Sequence, residues 1–163
     1  VNTNGAARIF ELIVANKLPI KKFIFASTQF VYGDGAYEKS EIRNPKSEIF
    51  YPEFRSLEQL ERGDWNIKGK FTPFKEDQKL MPPNAYALSK VAKENLAFTF
   101  GKRYGIPTVG LRYSIVQGPR QSPRNAYSGA LRIFTTQALA GKDIPVYEDG
   151  LQLRDFVNVK DVV

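Results

Sequence analysis

The chain has 163 residues, of which 42% are hydrophobic and 25% charged, the mix of about one soluble globular domain. It has no cysteine and no histidine, which excludes disulfide, thiolate and imidazole chemistry and removes the usual ligands of a zinc site. Proton transfer is left to Tyr, Lys, Asp, Glu or hydroxyl groups, and no metal is expected. The net charge of +7 is unevenly placed. Asp34 to Lys79 carries 10 acids against 9 bases, whereas Arg112 to Arg132 carries four arginines and no acid. Arginines without a nearby carboxylate are available to phosphate, although a solvated basic face is the plainer reading. No base-reading motif, zinc finger or basic helix points to nucleic acid. No apolar run approaches the roughly 18 residues of a membrane span, and the first residues lack the pattern of a cleaved leader. The expectation is a cytoplasmic protein without membrane contact.

Along the chain, Asn2–Lys17 has apolar residues at Ile9, Phe10, Leu12, Ile13 and Val14, spaced for a helix with one buried face and closed by Pro19. Lys22–Ser27 is a short apolar run that predicts a strand buried on both faces. Val31–Gly35 reads as strand end and turn. Asp34–Met81 reads as irregular, with a short helix at Ser56–Leu60. Asn84–Tyr104 is the strongest helix, with Asn84 as N-cap after Pro82-Pro83 and Gly105 as its stop. Thr108–Tyr113 predicts a second buried strand, Ser128–Ala140 a helix ended by Gly141, and Pro145–Tyr147 and Phe156–Val159 two short strands. The rhythm is that of an α/β protein, a Rossmann-like doubly wound parallel sheet, here partial, with the beginning of a small substrate domain. No G-x-G-x-x-G turn occurs. The expectation is therefore one piece of a longer protein, with 1–118 as the second half of a dinucleotide-binding domain carrying an insertion at about 36–80, and 119–163 as the start of the substrate-binding part.

Two features carry chemistry. Tyr86 and Lys90 in NAYALSK are four residues apart, on one helix face. A fixed ammonium beside a phenol favours the phenolate, so the pair could take a proton from a hydroxyl. Taken alone, Y-x-x-x-K recurs by chance in many helices. Ser27-Thr28 ends a strand where open α/β sheets place their ligands, although Ser and Thr also cap such ends for purely local reasons.

The stretches FIFASTQFVYG, PNAYALSK, LRYSIVQGPRQ and LQLRDFVNVKDVV together resemble the extended short-chain dehydrogenase/reductases that modify nucleotide sugars. Within that family, LEQLERGDW and YEDGLQLRDFV look most like the 4-epimerases of the dTDP-L-rhamnose type, with the UDP-glucose type next. The resemblance implies bound NAD, a dTDP- or UDP-linked sugar as substrate, and epimerisation at C4 through a transient 4-keto sugar. It implies a homodimer formed through the Tyr86 helix, and a piece of this size is expected to be inactive by itself.

By motif, Thr28 corresponds to the catalytic Ser/Thr, Tyr86 to the acid/base, and Lys90 to the residue that holds the nicotinamide ribose and tunes Tyr86. Asn2, Ser27, Tyr113 and Ser114 fall at cofactor-binding positions, together with Tyr86 and Lys90. Thr28, Tyr86, Gly129, Ala130, Leu131, Val146, Tyr147 and Arg154 fall at substrate positions, Val146 and Tyr147 against the base and Arg154 against the diphosphate. The family often has R-Y-F-N where this chain reads Arg112-Tyr113-Ser114-Ile115, and Ile115 cannot make the Asn contact.

Two rivals follow. A nucleotide-sugar 4,6-dehydratase, or another NAD-dependent sugar-nucleotide oxidoreductase, would share the scaffold. Dehydratases resemble S-T-D-E-V-Y-G at this strand end, and Gln29-Phe30 lacks their acids. A non-catalytic Rossmann-fold binding protein would not need the complete Thr/Tyr/Lys set.

Overall fold

The computed structural model describes residues 2–39, 48–122 and 129–163. Seven strands and five helices occur among them, with parallel pairing in the two sheets nearest the predicted chemistry. The described residues fall into two compact units, one within Val1–Phe54 and Ile67–Tyr113, the other within Arg55–Asn66 and Ser114–Val163.

The first unit is built on β1 (Phe23–Ala26) and β5 (Thr108–Leu111), which pair in parallel with Phe25 opposite Gly110. Helices α1 (Asn2–Ala15) and α3 (Ala85–Tyr104) pack on one another, and their apolar faces close over the strands. Of the apolar residues on α1, the i, i+4, i+7 set Ala6, Phe10 and Ile13 is buried, while Ile9 and Leu12 face outward. Phe10 stacks on Phe100 at 4.3 Å between centroids and meets Phe23 at 4.8 Å. Phe25 and Ala97 complete this core.

The expected burial of both strand faces does not hold among the described residues. Phe25 is buried, but Ile24 is 58% exposed and Val109 40%. Side chains alternate across a strand, and α1 and α3 cover only one face of this two-stranded sheet.

Val31–Gly35 does not begin as a strand end, although the expected turn is present at Gly33-Asp34. Gln29–Tyr32 forms a single 3-10 turn, capped by Thr28, whose Oγ1 accepts from Phe30 N at 3.3 Å. Gly33 follows with φ +62°, and a Cβ there would run into the Met81 carbonyl oxygen.

The segment read as irregular holds β2 (Ala36–Lys39), β3 (Glu48–Phe50) and β4 (Lys70–Thr72), an antiparallel sheet in the order β3-β2-β4. Tyr37 lies opposite Phe50 on one side and Phe71 on the other, with ring centroids 5.9 and 5.6 Å apart. Cross-strand aromatic pairs stabilise such short strands, and three-residue strands are too short to show a clear alternation in sequence.

Helix α3 follows its local signals. Asn84 Oδ1 accepts from Ala87 N at 2.9 Å, and Gly105 closes the helix in the left-handed region at φ +68°.

The second unit contains α2 (Leu57–Glu61), capped by Ser56, and β6 (Ile115–Gln117), which pairs in parallel with β7 (Phe156–Asn158). Helices α4 (Ala130–Leu139) and α5 (Val159–Val162) complete it. Strand β6 has no counterpart in the sequence reading. The expected helix Ser128–Ala140 begins at Ala130 with Gly129 as cap; Ser128 lies outside the described residues. Pro145–Tyr147 is not a strand. Pro145 cannot donate to a ladder, and the chain there enters a turn instead. Among the described residues, no helix is long and apolar enough to cross a membrane.

Candidate active site

The strand-end hydroxyls are anchored from behind. Ser27 and Thr28 are buried, and Ser27 Oγ donates to Glu94 Oε1 on α3. Glu94 is 3% exposed and also accepts from Arg112, at 2.8 Å from Nη2 and 3.1 Å from Nε. Arg112 Nη1 donates to the Tyr32 hydroxyl at 2.7 Å and to Glu76 O at 3.0 Å. The network joins β1, the 3-10 turn, α3 and the residue after β5.

Its charges stabilise each other. Burial alone pushes the Glu94 carboxyl up, but hydrogen bonds from Arg112 and Ser27 outweigh it and hold the group below the ordinary carboxylate value. The hydrogen bond to Glu94 in turn raises the Arg112 guanidinium above its ordinary value. Arg112 was a candidate free arginine in the acid-poor run. It is instead a structural partner, because the fold brings Glu94 to it from 18 residues away.

On the next turn of α3 stand Tyr86 and Lys90. Lys90 Nζ lies 5.5 Å from the Tyr86 ring centroid and donates to Ala26 O at 3.4 Å. Tyr86 is half exposed, and its ring meets Phe30 edge-on at 6.5 Å. Phe30 therefore touches both halves of the constellation: its amide donates to Thr28 Oγ1, and its ring packs on Tyr86. Lys93 Nζ donates to the same Ala26 carbonyl at 2.5 Å. Burial, and then the charge of Lys90, lower the Lys93 ammonium from its ordinary value.

Asn2 is brought to this helix. Its Nδ2 donates to Ser89 Oγ at 3.1 Å, and Ser89 Oγ donates to Tyr86 O at 2.7 Å. Tyr113 contributes its carbonyl, which accepts from Gln29 N at 2.9 Å. Thr28, Tyr86, Lys90, Asn2, Ser27 and Tyr113 thus share the first unit. Ser27, expected at the cofactor, has its hydroxyl engaged internally by Glu94.

The remaining candidates belong to the second unit. Ser114 Oγ donates to Asp155 O, where β6 meets β7. Gly129 caps α4, which Ala130 and Leu131 begin. Val146 and Tyr147 are 69% and 75% exposed. The Arg154 guanidinium donates to Leu153 O at 2.7 Å and is otherwise exposed. Among the described residues no group of three or more acidic side chains is placed to hold a metal ion.

Sequence reading missed Glu94, Lys93 and Ser89 as parts of this arrangement, and singled out Phe30 only for its lack of an acid, not for its contact with Tyr86. Glu94 alone carried a signal: a carboxylate one helical turn beyond Lys90 on the same face.

A parallel strand pair with the Tyr–Lys helix beside a hydroxyl-bearing strand end is a Rossmann-like α/β arrangement. The model of the NAD dependent epimerase/dehydratase family matches residues 66–163, and the chain belongs to that family. It is 34% identical, over 99% of its length and 44% of the relative's, to a dTDP-L-rhamnose 4-epimerase of Burkholderia thailandensis. Among solved structures, it superposes with a TM-score of 0.70 and 28% identity on a UDP-N-acetylglucosamine 4-epimerase from Methanobrevibacter ruminantium, covering 99% of this chain and 40% of that one. A dTDP-glucose 4,6-dehydratase from Bacillus anthracis in complex with NAD gives a TM-score of 0.67 at 28% identity, covering 99% and 39%. The chain therefore spans less than half the length of these relatives.

Proposed function

We propose that this chain belongs to an NAD-dependent nucleotide-sugar 4-epimerase that works through a transient 4-keto sugar. The observation that carries the reading is the Thr28–Phe30–Tyr86–Lys90 arrangement. A half-exposed phenol has a cation 5.5 Å from its ring, and Phe30 links it to the strand-end hydroxyl of Thr28, with an apolar ring at the position where the dehydratase pattern carries an acid.

The residues present fit the nicotinamide end of a dinucleotide. Tyr86 and Lys90 offer an oxygen and an ammonium on one helix face, and Lys90 donates a long bond to Ala26 O. When bound, the cofactor supplies the acceptor and donor of the C4 hydride. The chain's own residues then have three tasks. Tyr86 takes the O4 proton and later returns it. Thr28, whose Oγ1 lone pair is used by Phe30 N, retains its hydroxyl proton to hold O4. Lys90, 5.5 Å from the Tyr86 ring centroid, holds the ribose. In the second unit, Arg154 is assigned to the diphosphate, Val146 and Tyr147 to the base, and Gly129, Ala130, Leu131 and Ser114 to the remaining cofactor and substrate contacts. The substrate is a dTDP- or UDP-linked sugar. Association with a second copy through α3 is part of this reading.

The test is the full-length protein with NAD and purified dTDP- and UDP-sugars. Interconversion of 4-epimers without net NADH is expected, and Tyr86→Phe should lower kcat by about 10²–10⁴-fold. Accumulation of a 4-keto-6-deoxy sugar would show the dehydratase reading instead, and no turnover with any sugar nucleotide would leave only a binding role.

A further inference from the structure

The segment Arg55–Asn66 lies between β3 and β4 in sequence but forms part of the second unit. Arg55 is what ties it there. Its Nη1 and Nη2 donate to Glu148 Oε2 and Oε1, both at 3.0 Å, across 93 residues, and Nη1 also donates to Trp65 O at 3.1 Å. A two-pronged arginine–carboxylate pair fixes direction as well as distance.

Glu148 has φ +56°, the left-handed region that a side chain with a Cβ rarely enters. Such a conformation persists where neighbouring contacts hold it. Gln152 adds two of them, donating to Glu148 Oε2 at 3.0 Å and to Tyr147 O at 3.3 Å. Gly150 N closes the turn onto Tyr147 O at 3.2 Å. The Glu148 carboxyl lies below its ordinary value, first through Arg55 and then through Gln152. Every one of these bonds converges on the turn that begins at Tyr147.

We infer that Arg55 and Glu148 form a clamp by which the inserted segment sets the orientation of Val146 and Tyr147, making Arg55 a positioning residue for recognition of the nucleotide base. The inference rests on the function proposed above, in which those two exposed side chains meet the base. An incidental surface pair contributes little and asks nothing of the backbone. This one joins two distant segments, holds a left-handed non-glycine residue and shares its carboxylate with a third side chain.

The experiment compares wild type, Arg55→Ala, Arg55→Lys and the charge swap Arg55→Glu with Glu148→Arg in the full-length protein. Hydrogen exchange of the 148–152 amides and steady-state kinetics with a dTDP- or UDP-sugar are both measured. Arg55→Ala should speed exchange in that turn by about tenfold or more and raise KM by about tenfold, with kcat within about twofold. Inhibition by the free nucleoside diphosphate should weaken in parallel with KM. Arg55→Lys should fall between, because it keeps the charge and loses the two-pronged geometry, and the swap should recover part of the KM loss. Unchanged exchange in Arg55→Ala overturns the clamp. Faster exchange with KM unmoved, or an equal loss of kcat and stability, overturns its role in base recognition. A wild type that turns over no sugar nucleotide overturns the function reading and the base-recognition role with it, while the exchange data still decide the clamp.

Discussion

The two units are held together by different physics. Every buried residue among those described lies in the first unit, from Phe10 and Val31 to Glu94. The second unit buries none: Leu139, Leu151 and Leu153 are 85%, 76% and 80% exposed. The first therefore gains from the hydrophobic effect and from a desolvated ion pair, while in the second the ordering contacts are the β6–β7 pairing and helix caps, with the Arg55–Glu148 bridge holding one turn. The catalytic candidates Thr28, Tyr86 and Lys90 stand on the packed unit, where rotamers and strand ends are fixed from behind. The candidates for recognising the substrate stand on the unit with the lighter framework. Acid–base chemistry depends on geometry within fractions of an ångström, and a packed core provides that. Recognition segments are commonly drawn from the less stable parts of a fold.

The largest contrast should come from truncating a core ring. Phe10→Ala removes a side chain stacked on Phe100 and tilted against Phe23 and should cost about 3–5 kcal/mol in denaturant unfolding. Leu139→Ala on α4 should stay within about 0.5 kcal/mol. Comparable losses from both would remove the distinction between the units.

Glu94→Gln comes next, at about 2–3 kcal/mol, since it leaves Arg112 without its carboxylate. The pH dependence has a definite sign. A carboxyl held below its unfolded value of about 4.3 stabilises the fold fully above that value and loses its contribution as pH falls through the lower folded value. The gap between wild type and Glu94→Gln should be full at neutral pH and should shrink below about pH 4. A gap independent of pH would show that the carboxylate charge is not what matters.

Removing the α3 cap with Asn84→Ala should cost about 1 kcal/mol by thermal unfolding, and because α3 carries Tyr86 two residues on, activity should fall as well. Arg55→Ala should also have only a small effect on overall stability, at most about 1 kcal/mol by denaturant titration, since both partners are about one quarter exposed. A larger loss would mean that the bridge supports the whole second unit and not one turn.

Much of this was legible in local sequence. Helix α3 is bounded by Asn84 and Gly105, and each does in the structure what its side-chain chemistry suggests. The Tyr86–Lys90 pair is an i, i+4 relation that any helix enforces. Strands β1 and β5 announce themselves as apolar runs, and their parallel pairing follows from the helix between them. The failures are equally specific. The 3-10 turn at Gln29–Tyr32 resembles an extended apolar stretch until Thr28 is seen capping it. The β3-β2-β4 sheet hides in three- and four-residue strands whose stability comes from rings meeting across the sheet. Pro145–Tyr147 has strand-like residues and no ladder to join.

The sequence by itself determined what depends on neighbours a few residues away: helix boundaries, the Tyr–Lys spacing, the hydroxyls at the end of β1 and the family motifs that contain them. Tertiary structure alone decided the partners. Arg112 belongs to Glu94 and Tyr32, Ser27 turns to Glu94, Phe30 covers Tyr86, and Arg55 reaches Glu148 93 residues away. Charge, size and hydrogen-bonding capacity are properties of a residue, but a partner at hydrogen-bond distance is created by packing of segments far apart in the chain.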